Sequence, residues 1–144
     1  MAFTIRQLTC LDARSLREVF RPLFADSEYV KFTEAWHDRS PQLSLGIYKS
    51  KQLVGFALVK DRQLAYIGID EDFQSFGLGS RLLKAIMLLA FENRQNIYLT
   101  PANDVVARWY IKHGFYHSYS CEAEGGGLYT VYNAHRYPVR KHRM

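Results

Sequence analysis

Apolar residues recur at helical spacing between Thr9 and Trp36, alternate or run together from Leu43 to Ile69, and then switch between the two periods up to Asn133. Phe3, Ile5 and Gln7 alternate with Thr4 and Arg6, which predicts a short first strand. Thr9 and Asp12 have capping-box spacing ahead of a helical pattern through Leu11, Leu16, Val19 and Phe20, which Pro22 should end or kink. Asp26 or Ser27 can cap a second helix carrying Tyr29, Val30, Phe32, Thr33 and Trp36, closed by Ser40-Pro41. Leu43, Leu45 and Ile47 alternate with small or polar neighbours, Leu53 to Lys60 reads as the hairpin partner, and Asp61-Arg62 turns into Leu64 to Ile69. The third of these runs is nearly all apolar, as a central strand covered on both faces would be.

Leu78, Leu82, Leu83, Ile86, Leu89 and Ala90 form one stripe of a third helix. Asn96 to Thr100 predicts a strand, and Asp104 to Lys112 a helix closed by Gly114 in the C-terminal glycine position. Phe115 to Cys121 and Leu128 to Asn133 are the final strands, with Gly125 to Gly127 loosening their connection. The order predicts an α+β fold: a mixed, mostly antiparallel sheet of about seven strands with helices on both faces. Only two strand-helix-strand units occur, which excludes a doubly wound sheet. No repeat or linker divides the chain, so residues 1–134 are read as one domain.

Composition narrows the class. A chain of 144 residues, 48% hydrophobic and 23% charged, folds without staples. Cys10 and Cys121 are its two cysteines, with no CxxC pair, which excludes zinc-ribbon and disulfide-scaffold designs and fits a reducing compartment. The longest apolar run, Ala85 to Phe91, is far short of a membrane span. The start lacks the charge and apolar core of a secretory signal, so a cytoplasmic location is expected. The net charge is +5, but Arg136, Arg140, Lys141 and Arg143 supply four of the 19 positive charges. Residues 135–144 are therefore a basic tail on a nearly neutral body, and the tail alone does not define a nucleic-acid-binding protein.

The informative segment runs from Ile67 to Ser80, a strand, a turn of small residues and then a helix. A helix start leaves several amides unpaired at the positive end of its dipole, where phosphate is a natural guest. Gly77 and Gly79 permit close approach of backbone to ligand. GxxxxGK[ST] is absent, and Leu82 stands where the dinucleotide fingerprint needs its third glycine.

Gln74-x-x-Gly77-x-Gly79 between a central strand and an amphipathic helix resembles motif A, Q/R-x-x-G-x-G/A, of the GCN5-related N-acetyltransferases. Asn103, seven residues before Tyr110, with x-x-x-Gly114-Phe115 after it, resembles motif B of the same family. Val106 stands where the family usually has a small residue, and Ala107 follows one step late. The resemblance covers residues 3 to 134 and implies the family's acyl-CoA N-acyltransferase fold.

It implies acetyl-CoA as co-substrate, with no metal, lying where the fourth and fifth strands splay apart. The amides of Ser75, Phe76, Gly77, Leu78, Gly79 and Ser80, beside Gln74, would hold the pyrophosphate. The backbone of Ile67, Gly68 and Ile69 would pair with the pantetheine arm, and Asn103 would touch the cofactor from the facing loop. Pro101 cannot donate to a ladder, which agrees with pairing being lost there. Tyr110 would protonate the departing thiolate, a task that suits a group with a pKa of about 10; its neighbour Trp109 is read as core.

Many relatives place a basic glutamate on the fourth strand, but Gln63 stands there. Water leading to Glu28, Glu34, Asp70 or His117 remains open as the proton's route, and His113 is read as a helix-end residue. The family puts the acceptor over the first two helices and the last hairpin. Glu28 and Glu34, with Asp26 and Asp38, and Glu122 and Glu124 opposite, would draw a polyamine, another cationic amine, or a protein lysine or N-terminus. Tyr29, Trp36, Tyr119 and Tyr129 are candidates for an aromatic pocket or for core.

Neither cysteine sits in a relay motif, so direct transfer in a ternary complex is expected. Two other classes stay open, a non-catalytic coenzyme A-binding regulator and a nucleic-acid-associated protein using the tail. A homodimer is a further possibility that the resemblance raises.

Overall fold

The computed structural model describes residues 2–123 and 127–134, from residue 118 onward by their backbone alone. The expected connection through Glu124 to Gly126 and the basic tail lie outside the described residues, as do the side chains of Tyr119, Cys121, Glu122 and Tyr129. Among the described residues seven strands form one sheet: β1 (Thr4–Gln7), β2 (Leu45–Lys49), β3 (Gln52–Lys60), β4 (Gln63–Ile69), β5 (Tyr98–Leu99), β6 (Phe115–Ala123) and β7 (Gly127–Ala134). Their order is β1-β2-β3-β4-β5-β7-β6, antiparallel throughout except between β4 and β5. The helices are α1 (Ala13–Leu23), α2 (Tyr29–His37), α3 (Leu78–Glu92) and α4 (Asp104–Lys112).

The capping box forms as the spacing requires. Thr9 Oγ1 accepts from the Leu11 amide at 3.3 Å, Asp12 Oδ2 accepts from the Thr9 amide at 2.8 Å, and a single 3₁₀ turn leads into α1. Pro22 stands inside the last turn of α1, and the chain leaves the helix at Phe24 in an extended conformation. Asp26–Glu28 is likewise a 3₁₀ turn ahead of α2.

Two apolar layers flank the sheet. On one face Leu16, Val19 and Phe20 of α1 and Phe32 of α2 pack on Phe56 and Leu58, with Phe20 stacked on Phe32 at 3.9 Å between ring centroids. On the other, Leu82, Leu83 and Ile86 of α3 and Tyr110 of α4 pack on Leu45, Ile47, Val54, Ala57 and Val59. The strand buried on both faces is therefore β3, whose residues from Leu53 to Val59 are all buried. The sequence pattern assigns that place to Leu64–Ile69, but most of β4 is only half-buried. The reason is the gap beside it.

β4 and β5 share a single register pair, Gln63 with Tyr98, supported by the Tyr98 amide donating to the Arg62 carbonyl at 3.0 Å. β5 is two residues long, shorter than the expected Asn96–Thr100. Pro101 follows closely and has no amide with which to extend the ladder. From Leu64 onward β4 has no partner on that side among the described residues. A bulge adds a second distortion. Leu58 faces Tyr66 and Val59 faces Leu64, so Ala65 is an extra residue in β4. It sends both Ala65 and Tyr66 toward α1 and α2, while Ile67 and Ile69 face α3 and α4.

Candidate active site

The gap beside β4 is the mouth of a cleft of about 550 Å³, lined on its β4 side by Ile67, Gly68 and Ile69. The start of α3 contributes Gln74, Gly77, Gly79 and Ser80; α4 contributes Val106, Trp109 and Tyr110; Leu23 and Phe24 close it from the end of α1. The splayed strands and the short turn between β4 and α3 thus bring eight of the expected residues together.

Main-chain direction follows from strand geometry. The Asp70 amide donates to the Val54 carbonyl of β3 at 2.8 Å, and hydrogen-bonded pairs alternate along an antiparallel ladder. Gly68 opposite Phe56 therefore turns its polar groups to β3, while Ile67 and Ile69 turn theirs into the cleft. The Ile69 carbonyl accepts from Gln74 Nε2 at 2.9 Å, which ties the turn to the strand. Gln74 thereby serves as a brace, and the Ile67 amide and carbonyl point to the cleft side, where β4 has no strand partner among the described residues.

Gly77 caps α3 at φ 71°, ψ 21°, the left-handed region that glycine enters without strain. No side chain caps this helix, and its first bond joins the Arg81 amide to the Gly77 carbonyl at 3.2 Å. The amides of Leu78, Gly79 and Ser80 therefore have no carbonyl within the helix to reach. Gly79 matters in another way. A Cβ there would lie 3.6 Å from Trp109 Cζ2 and 3.9 Å from Ile69 Cγ1, so it would stand in the slot between β4 and α4. The missing side chain keeps that slot open, and a diphosphate fits a set of bare amides at its floor.

Tyr110 is 6% exposed, packs edge-on against Phe115 at 5.4 Å, and reaches the cleft from α4. Burial pushes its phenol up to about 12. Trp109, read from sequence as core, does pack on the α3–α4 layer, but its indole also forms one wall of the cleft. Leu23 and Phe24 carry no signal of such a role in the sequence, because it depends on where α1 ends over the sheet.

Four expected residues are not among those that line the cleft. The Leu78 side chain is in the core. Ser75 is exposed, and Phe76 packs against Phe3 at 5.8 Å while 45% exposed. Asn103 caps α4, its Oδ1 accepting from the Val106 amide at 2.9 Å. The candidate acceptor residues lie across β4. Glu28 Oε1 accepts from the Tyr66 hydroxyl at 2.8 Å; burial first, then the Glu28 and Glu34 carboxylates, raise the Tyr66 phenol well above its ordinary value. Tyr66 packs edge-on against Phe24, itself a wall of the cleft, at 5.4 Å. Asp70 Oδ1 is used by the Asp72 amide at 2.9 Å, and His117, on β6, is not among the residues that line the cleft.

Among the described residues no group of three or more His, Cys, Asp or Glu side chains could hold a metal ion, and no helix is long and apolar enough to cross a membrane. A half-unpaired central strand, bare helix-start amides and a buried phenol meet at one cleft, an arrangement compatible with an acyltransferase whose donor carries phosphate. Residues 12–115 match the family model described as acetyltransferase (GNAT) family, and the chain belongs to that family. It is an acetyl-CoA-dependent N-acetyltransferase.

Solved structures agree on the fold. The ribosomal-protein-S18-alanine N-acetyltransferase from Escherichia coli superposes with a TM-score of 0.74 at 17% identity, covering 99% of each chain. Ard1 from Thermoplasma volcanium gives 0.65 at 22% identity over 92% of this chain and 97% of its own. PaiA N-acetyltransferase from Thermoplasma acidophilum, solved in complex with coenzyme A, gives 0.65 at 19% identity over 93% and 99%. No curated protein matches the sequence.

Proposed function

We propose that this enzyme transfers the acetyl group of acetyl-CoA directly to the primary amine of a cationic acceptor, with Tyr110 as general acid. The acceptor class is a polyamine or other small cationic amine, or a lysine or N-terminus carried by a peptide. The observation that carries the reading is the slot at Gly79, open between Ile69 and Trp109 in the cleft that Tyr110 also lines.

The diphosphate would rest on the amides of Leu78, Gly79 and Ser80, and the pantetheine arm would pair with Ile67 as a strand would. An amide directed at the developing oxyanion is worth about 3 kcal/mol of barrier. The amine nitrogen attacks the acetyl carbon, the carbon–sulfur bond breaks, and the thiolate takes the Tyr110 proton. A phenol near 12 is a weak acid toward an ordinary thiol of about 8.5. The thiolate, however, is expelled into the same desolvated cleft, which raises its basicity too. Cys10 sits on the 3₁₀ turn ahead of α1 and is not among the lining residues, which supports direct transfer over a relay through that cysteine.

Glu28 and Glu34 support a cationic acceptor. Both carboxylates act on Tyr66, which shares the Phe24 wall with the cleft, so positive charge approaching from the α1–α2 side meets them first. Glu28, held by the Tyr66 hydroxyl on β4, is our candidate for taking up the amine proton.

The test is thiol release from acetyl-CoA against polyamines, lysine peptides and amino acids, with wild type and Tyr110→Phe. Wild type should turn over with cationic amines. The variant should lose about 10²-fold or more in kcat at unchanged coenzyme A affinity. Full activity of the variant removes Tyr110 from the mechanism, and silence of wild type with every amine removes the acceptor class.

A further inference from the structure

The two helices that wall the cleft are joined at its end by one side chain. His113, the residue that closes α4, has Nδ1 2.8 Å from the Trp109 carbonyl and Nε2 2.8 Å from Ser80 Oγ. A carbonyl only accepts, so Nδ1 carries the proton. In the neutral imidazole Nε2 is then an acceptor, and the hydroxyl of Ser80 must donate to it. The His113 amide also donates to the Tyr110 carbonyl at 2.9 Å, and the Trp109 indole lies 4.5 Å from the imidazole. One residue thus grips the turn of α4 that bears Trp109 and Tyr110, and reaches across to the first turn of α3.

We propose that His113 is a positioning residue for acetyl transfer, strapping the turn that carries Tyr110 to the turn that presents the diphosphate amides. The inference rests on the assignment of those two turns under the proposed function and adds a residue to it. It carries a corollary for Ser80: with its hydroxyl proton committed to His113, Ser80 serves the diphosphate through its main-chain amide alone. A helix-end histidine without this role would depend only on its own helix.

The two amide side chains separate these cases, since asparagine overlays Nδ1 of the ring and glutamine overlays Nε2. His113→Asn keeps the bond to Trp109 and loses Ser80; His113→Gln keeps Ser80. The expected result is a fall of about tenfold in kcat/KM for acetyl-CoA in His113→Asn, the worth of one part-buried hydrogen bond. Ser80→Ala should show the same fall, the double variant no more than either, and His113→Gln most of the wild-type value.

Nitrogen-15 spectra of the wild-type ring should show the Nδ1–H tautomer. Equal kinetics of His113→Asn and wild type, multiplying effects of Ser80→Ala and His113→Asn, or an Nε2–H tautomer overturns the strap while leaving the acetyl-transfer reading intact. Wild type that fails to bind coenzyme A overturns both.

Discussion

Gly79→Ala sets stability and binding against each other. In the free protein the new methyl meets Trp109 at 3.6 Å and Ile69 at 3.9 Å, ordinary contact distances, so nothing has to move. The position lies in the first turn of α3, where alanine is preferred to glycine by up to ~1 kcal/mol. For a domain of this size that preference should raise the melting temperature by about 2–4 °C. The same methyl stands in the slot above the helix-start amides and holds a phosphate oxygen away from them. Losing one hydrogen bond to a charged group removes about 1.5–3 kcal/mol, roughly 10- to 150-fold in Kd.

Calorimetric titration with coenzyme A and a thermal melt of the same sample measure both effects. Gly77→Ala makes the contrast, because its Cβ would meet nothing within 4 Å but its φ of 71° would cost a side chain about 1 kcal/mol. A Gly79→Ala protein that melts higher and still binds coenzyme A as tightly as wild type would refute the placement of the diphosphate.

Because burial holds the Tyr110 phenol near 12, it stays protonated across the working range, and kcat should rise with amine deprotonation and show no alkaline fall up to about pH 10. An alkaline fall below that, absent from the residual activity of Tyr110→Phe, contradicts the raised phenol while keeping Tyr110 as the acid. Glu34→Gln should raise KM for a polyamine several-fold at unchanged kcat and flatten its dependence on salt, read from initial rates at two ionic strengths, whereas Glu28→Gln should raise KM and lower kcat as well. Asp12 tests the scaffold. Burial alone would raise its carboxyl, but Arg6, the Thr9 amide and the Tyr48 hydroxyl hold it below the ordinary range. Its contribution is therefore present above about pH 4 and lost as acid titrates the folded form. Asp12→Asn should cost about 2 kcal/mol at pH 7 by urea denaturation and remove that acid dependence.

Local spacing carries its meaning within one turn of chain, which is why Gly77, Gly79 and Tyr110 are legible in the sequence itself. The glycines mark a strand-to-helix bend whose geometry is set by neighbours in sequence, and Tyr110 lies a fixed number of residues from its cap and its closing glycine. Trp109, Leu23 and Phe24 are not legible as cleft residues. An indole on an apolar helix face looks the same whether it meets core or a slot, and only the placement of β4 against α4 decides. Asn103 shows the converse. A short polar side chain before a helix satisfies that helix first, and here its oxygen is taken by the Val106 amide. Strand burial misleads for the same long-range reason, since an apolar run predicts a covered strand and β4 is uncovered by the early end of β5.

The single rung between Gln63 and Tyr98 makes the cofactor part of the architecture under the proposed reading. With the pantetheine arm laid along Ile67, the substrate becomes the strand segment that the chain omits, stitching the antiparallel half built from β1 to β4 to the hairpin half beyond β5. Turnover would then be a cycle of completing and unpicking a seam, with each departing thiol leaving the two halves joined by one stitch.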